Sequence, residues 1–306
     1  MIRFEQTLSF VQFTNCIGNV FLNSRFSVLS DVNRGVYLTE RVLTYMAVKE
    51  PPPEVKERVE RALVAFREFS TKVVDKVKGI KVDDILEGGV NPYLFASLGV
   101  KDFEDVAYFF VQKRVERSLG TSFGSVIEEF LRELLSGKSG KEYPGCKGRG
   151  AKGWICWWDI VIEGEYREDG TTFRGRVVSV KSGPADINKD ILSEFAREAA
   201  QAEGQGYRPY LALTYGSQAF NVVNTLRESL RVAGARVHDP GQYVLVGRKV
   251  YEVLLGQDVY DYVIKRASEI GVRVDLRALI DEKVREIAEQ LRKRYKDVNE
   301  LLRQLS

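Results

Sequence analysis

The sequence predicts an α/β (α+β) protein, a mixed central sheet flanked by helices and preceded by a mainly helical N-terminal region. Three observations carry that expectation. Apolar residues recur at helical spacing between Pro51 and Gly137. From Trp157 to Val246, β-branched strands alternate with amphipathic helices. The chain has 306 residues, 44% of them hydrophobic, enough to bury a sizeable core. Residues 1–90 read as the helical region, an arm or subdomain, and residues 91–306 as the core with a C-terminal helix.

Taken in order, Pro51 to Pro53 introduce a long amphipathic helix whose apolar face is Val55, Val59, Leu63, Phe66, Val73 and Val77, ending at Gly79. Glu87-Gly88-Gly89-Val90-Asn91-Pro92 is a turn cluster. Asp102 caps a helix through about Leu119 that Gly120 closes, and Thr121 or Ser122 caps the next one, which ends near Gly137. Between Gly137 and Gly153 lie six glycines and five basic residues, Lys138, Lys141, Lys147, Arg149 and Lys152, against one acid, Glu142. A mobile basic loop of this kind can follow a phosphate backbone, because cations and backbone N–H groups approach closely where side chains are few. The alternative is a solvated linker.

Two strands follow the loop and meet at Glu168-Asp169-Gly170, a hairpin signal. Next come a helix from about Lys189 to Gln205, a strand at Tyr210 to Thr214, a helix near Phe220 to Ala233 and a strand at Tyr243 to Val246. In the tail, Ile280, Val284, Ile287, Leu291, Tyr295, Val298 and Leu302 describe one long helix with an apolar face. That face packs on its own domain or, as second choice, forms a dimer contact.

Composition narrows the chemistry. No long uncharged apolar window exists, and Arg3 and Glu5 interrupt the start, so the expectation is a cytoplasmic protein with no membrane partner. Three cysteines, Cys16, Cys146 and Cys156, match neither a disulfide framework nor paired zinc knuckles and read as buried thiols. The single histidine, His238, has no nucleophile in a recognisable elbow, which argues against Ser-His or Cys-His catalysis. Abundant Lys, Arg and Glu beside 3 Cys, 2 Met and 1 His point to a thermophile. The net charge of +3 identifies no partner, since nucleic-acid binding follows local clustering.

Two charges interrupt strands that otherwise read as core. Asp159 precedes Ile160-Val161-Ile162, and Lys181 ends Val177-Val178-Ser179-Val180. Alternation sends Ile155, Trp157, Asp159 and Val161 to one side, and Val177, Ser179 and Lys181 share a side. A three-residue loop with Gly170 left-handed would set Asp159 opposite Ser179, with Lys181 on the same face. A two-residue Asp169-Gly170 turn would throw Lys181 to the other face, unless a bulge at a residue such as Gly164 restores the register. A purely structural ion pair is one explanation, but burying two ions costs several kcal/mol each. A carboxylate on a rigid strand can ligate a hard cation, and a nearby ammonium can offset charge on a phosphate. A second carboxylate, Glu128, shares a helical row with Gly124, Leu131 and Leu135 and leans to the apolar side, whereas Glu129, Arg132 and Glu133 suit the wet side.

These residues resemble the type II restriction endonucleases of the PD-(D/E)XK nuclease superfamily. The resemblance rests on Asn91-Pro92-Tyr93-Leu94, Ser122-Phe123-Gly124 with Glu128, Asp159, and Ser179-Val180-Lys181-Ser182-Gly183-Pro184 with Asn188. Thr214-Tyr215-Gly216 and Val246-Gly247-Arg248 complete it, in family order between about Asn91 and Gly256. It implies a PD-(D/E)XK nuclease core and a type II site-specific deoxyribonuclease that hydrolyses double-stranded DNA with Mg²⁺, as a homodimer in which each subunit cuts one strand. Asp159 then corresponds to the metal-binding strand carboxylate, Lys181 to the lysine of the motif, and Glu128 to the helix glutamate supporting the metal. Ser179 departs from the pattern, standing where the motif has Glu or Gln, so the second acid comes from elsewhere. Glu128 is the first candidate, before Glu163 and Glu165. Lys147, Arg149, Lys152, Ser182 and Asn188 are candidate DNA contacts, although Asn188 also suits an N-cap. The alternatives are a structure-specific or repair nuclease on the same core and a non-catalytic DNA-binding protein.

Overall fold

The computed structural model describes residues 50–146, 153–184, 187–216, 219–235, 239–271 and 273–305. All belong to one compact unit, residues 48–306. Residues 1–49, and with them Cys16 and much of the expected helical region, lie outside the described residues, as do Lys147, Arg149, Lys152 and His238.

Helices α1 (Pro53–Ala62) and α2 (Val64–Lys78) stand where one long helix is expected. They differ from it only by Leu63, whose backbone relaxes to ψ −8°. A π-turn at Ile85–Gly89 leads to α3 (Pro92–Ser97), where Asn91 is spent as an N-cap: its Oδ1 accepts from the amides of Tyr93 (3.0 Å) and Leu94 (3.2 Å). Helix α4 (Phe103–Leu134) is a single 32-residue helix that Asp102 caps through the Asp105 amide. The expected break at Gly120 does not occur. Glycine costs about 1 kcal/mol inside a helix, and Phe110, Val111 and Val115 before it and Ile127, Phe130 and Leu131 after it are all buried, so packing on both sides carries the helix through.

The sheet runs β1 (Ile160–Glu168), β2 (Thr171–Lys181), β3 (Tyr207–Leu213), β4 (Val244–Val246), in that spatial order. β1 and β2 are antiparallel; β2, β3 and β4 are parallel, with α5 (Lys189–Gly204) and α6 (Phe220–Ala233) as crossovers. The sheet is therefore mixed and flanked by helices. Every residue of β3 is buried, as a strand covered on both faces requires. Its Pro209 is accommodated because β4 pairs with β3 only from Leu211 onward. Ile160, Val178, Val180, Tyr210 and Ala212 pack against α1, the C-terminal half of α4, α7 (Arg248–Leu255) and α8 (Tyr260–Gly271). Val161, Val177, Leu211 and Leu213 pack against α5 and α6. A separate core joins α2 and the N-terminal half of α4 to α9 (Leu276–Arg294) and α10 (Val298–Gln304).

The expected long tail helix is thus two helices. Asp297 caps α10 through the Glu300 amide at 2.8 Å, and Tyr295 is extended, so the chain stops and restarts. The apolar face packs within the chain: Ile280, Val284, Ile287 and Leu291 are buried against α2 and α4, and Val298 and Leu301 in the same core beside α3, which removes that face as a dimer contact.

Cys146 and Cys156 are not free thiols but a disulfide with Cα atoms 5.3 Å apart. The loop it closes spans 10 positions, for which the chain-entropy account gives about 2.5–3 kcal/mol. Dithiothreitol, or Cys146→Ser, is expected to lower the thermal midpoint by about 5–10 °C. Identical melting of reduced and oxidised protein, or titration of three free thiols in the unreduced chain, would refute the bond.

Candidate active site

The site sits where β1 begins and β2 ends, and its register depends on a bulge. The hairpin turn has two residues, with Glu168 opposite Thr171 and both Asp169 (φ 48°) and Gly170 (φ 76°) left-handed, as a type I′ turn requires. The three-residue loop is therefore not used. Left uncorrected, this turn would put Lys181 on the wrong face. Between Glu163 and Tyr166 the register slips, with Gly164 at φ 119°, and beyond it Val161 pairs with Val177 and Ile160 with Val178. One step further, Asp159 comes opposite Ser179. Replacing Gly164 forces an L-residue into a backbone region it rarely adopts.

Asp159 is fixed through one oxygen. Its Oδ2 accepts from the Val180 amide (2.7 Å) and the Ser179 hydroxyl (3.3 Å), and lies 3.9 Å from Lys181 Nζ. Among the described residues Oδ1 makes no hydrogen bond. Side-chain exposures of 15% for Asp159 and 28% for Lys181 leave both reachable from solvent. Ser179 is 1% exposed, and its buried hydroxyl orients the neighbouring carboxylate.

The segment before Asp159 is a 3₁₀ turn, Trp154–Trp157, and not the strand that alternation suggests. Trp157 and Trp158 both pack on Phe195 of α5, and buried Trp158 fixes the backbone from which Asp159 projects.

Glu128 arrives from the other side of the sheet. Its neighbours Ile127 and Leu131 are buried in the same cluster as Ile160, Val178 and Val180. Gly124, one turn earlier, lies beside the Ser182 hydroxyl, which a Cβ there would meet at an ordinary contact distance of 4.0 Å. Burial raises the Glu128 pKa above the ordinary carboxylate value, the Asp159 charge raises it further, and Lys181, Lys141 and Arg132 pull it down. Glu128 therefore lies within the fields of Asp159 and Lys181, while the direct contact in the site is the one between Asp159 and Lys181. Glu129 and Glu133 are exposed, as expected.

The sign of that shift gives a test. A carboxyl whose folded pKa is raised contributes stability that is complete below its unfolded pKa of about 4.3 and is lost as pH rises through the folded value. Glu128→Gln should therefore melt higher than the wild type near neutral pH, and the difference should close in acid, where both side chains are neutral. A Gln variant melting lower at every pH would show Glu128 to be a structural anchor.

Other acids are engaged elsewhere. Glu163 accepts from the hydroxyls of Tyr143 (2.8 Å) and Tyr207 (2.7 Å), and Glu165 pairs with Arg167. Burial and the Glu163 contact push the Tyr207 hydroxyl up to about 12. Among the described residues no group of three or more His, Cys, Asp and Glu side chains converges. The acids nearest this point that could serve a cation are Asp159 and Glu128. That suits Mg²⁺, which keeps several waters and needs one or two carboxylates beside substrate phosphates.

Several motif residues serve the backbone instead. Asn188 caps α5 through the Ile191 amide (2.9 Å), the alternative role its sequence position suits. The Ser182 carbonyl accepts from the Tyr215 amide (3.2 Å) and the Thr214 hydroxyl (2.8 Å). Gly183 is required because a Cβ would fall 2.2 Å from the Tyr215 ring. Arg248 pairs with Asp258 and Asp261. A concavity of about 330 Å³ between α2 and α4, lined by Val73, Lys76, Val77, Arg114 and Val115, contains none of the site residues.

The described part of the glycine-rich segment is anchored. Lys138 and Val161 exchange hydrogen bonds of 2.9 and 2.7 Å, and Gly140–Glu142 is a 3₁₀ turn with a capping box formed by Ser139 and Glu142. Sequence reading treats this stretch as a mobile loop, although Ser139-Gly140-Lys141-Glu142 carries the S-x-x-E spacing that signals the cap. No protein-family model and no curated protein matches the chain.

Proposed function

We propose that the chain is a Mg²⁺-dependent site-specific endonuclease on a PD-(D/E)XK core, a type II restriction enzyme that hydrolyses double-stranded DNA. The carrying observation is the Asp159 carboxylate held on the Val180 amide with Lys181 beside it, within whose fields Glu128 lies. In this reading Asp159 and Glu128 hold the cation. Bound Mg²⁺ supplies Lewis acidity and a water of lowered pKa. Lys181 orients the attacking water and offsets charge on the phosphate, and cleavage leaves 5′-phosphate and 3′-hydroxyl ends. Two subunits related by a two-fold axis cut the two strands. A cytoplasmic thermophile accommodates both the charge-rich composition and the disulfide, since hyperthermophiles are the intracellular exception to reduced thiols.

The test is incubation of the purified protein with unmethylated phage DNA and Mg²⁺, followed by end sequencing. Discrete fragments with a common end sequence are expected; a ladder indicates a structure-specific or repair nuclease. Tight binding in EDTA with no product at any Mg²⁺ concentration indicates a non-catalytic DNA-binding protein.

A further inference from the structure

The Lys141 ammonium sits on a turn that is bolted to the candidate site. Gly140 donates to the Trp158 carbonyl at 3.0 Å, one residue before Asp159. Gly140 is buried so tightly that a Cβ would lie 2.0 Å from the Ile155 carbonyl oxygen and 2.7 Å from that of Trp158. Ser139 Oγ accepts from the Lys141 amide at 3.3 Å, and Glu142 Oε1 accepts from the Ser139 amide at 3.2 Å. The one acid of the segment is thus committed to the backbone. Lys141 itself is exposed, and among the described residues it forms no ion pair. Its charge, like those of Lys181 and Arg132, lowers the Glu128 pKa.

A solvated lysine on a floppy loop would carry little consequence. A lysine on a capped turn, hydrogen-bonded one residue from Asp159, is a cation on a fixed backbone with no ion pair among the described residues. An exposed ammonium with no ion pair among the described residues, on a turn hydrogen-bonded beside Asp159, is complementary to an anion.

We propose that Lys141 binds a backbone phosphate of the nucleic acid adjoining the one that is cleaved, and so positions the strand over Asp159 and Lys181. This rests on the nuclease reading for the word cleaved, but not for the phosphate contact. Lys141 is a positioning residue, because it touches the substrate away from the reacting atoms.

The probe is a mixed-sequence duplex oligonucleotide, titrated in EDTA over a range of monovalent salt, with wild type, Lys141→Ala, Lys141→Gln and Lys141→Arg. Each phosphate contact contributes about 0.9 to the slope of log K against log salt. Loss of one contact should flatten the slope by that amount and weaken binding roughly 5- to 10-fold near 0.1 M salt. Lys141→Arg should restore both. In Mg²⁺, KM should rise by a similar factor with kcat nearly unchanged. The Gln variant guards against a fold defect in the Ala variant, and thermal midpoints check both.

An unchanged salt slope in folded Lys141→Ala or Lys141→Gln overturns the proposal, as does a fall in kcat with KM unchanged. Slope loss in a protein that never cleaves DNA leaves the phosphate site standing and removes the nuclease reading. Wild type that binds no duplex removes both.

Discussion

Asp159→Asn is expected to abolish Mg²⁺-dependent cleavage, by a factor on the order of 10³ in kcat/KM, or about 4 kcal/mol of transition-state stabilisation. The substitution isolates charge from architecture. An asparagine oxygen still accepts from the Val180 amide and the Ser179 hydroxyl, so the contacts that hold the start of β1 to the end of β2 persist. What disappears is a hard anionic donor for the cation. The melting temperature should therefore stay near that of the wild type while activity is lost. Asp159→Ala adds a second effect, because it strips the Val180 amide of its acceptor at a cost of about 1–3 kcal/mol where water cannot replace it. Near wild-type cleavage by Asp159→Asn would mean that the carboxylate serves only as a backbone clamp, and the nuclease proposal would go with it.

Lys181→Ala should lower kcat by about 10²–10³-fold, the range seen when one preorganised donor to developing charge is removed. Lys181→Arg should not recover the loss, since a planar fork cannot take the place of a compact ammonium at the same depth. The 3.9 Å separation from Asp159 bears on this expectation. A pair held so loosely contributes little to stability, so the fold should tolerate the change. Equal kcat for Lys181→Ala and wild type at saturating DNA and Mg²⁺ would leave the lysine as an ordinary strand-end charge.

How far the site was legible follows from which signals are local. Asp159 and Lys181 stand out because charge among β-branched residues conflicts with burial, and their meeting could be narrowed to two registers from the turn and the pleat alone. The structure adopts the shorter turn and repairs it with the bulge at Gly164; the choice belongs to twist along the whole ribbon, which no short window encodes. Glu128 was legible as an inward-leaning helix acid, but the continuity of α4 through Gly120 was not, because tertiary packing outweighs one glycine. The break at Asp297 and the cap at Ser139 are written in residue types but lie beneath stronger patterns, apolar periodicity in one case and glycine content in the other. The Cys146–Cys156 bond was hidden for a different reason: pairing is a matter of proximity, and spacing says little about it.

One consequence of α4 is mechanical. At 1.5 Å per residue its 32 residues make a rod about 48 Å long, with Phe110 gripped in one core and Glu128 delivered to the rim of another. Asp159 rides on the sheet instead, so the two carboxylates are mounted on different supports. A tilt of about one degree pivoting at Phe110 swings Glu128 through about half an ångström, the tolerance to which a metal site must be built. Repacking near Phe110, some 27 Å away along the rod, can thus detune the pair without touching either member.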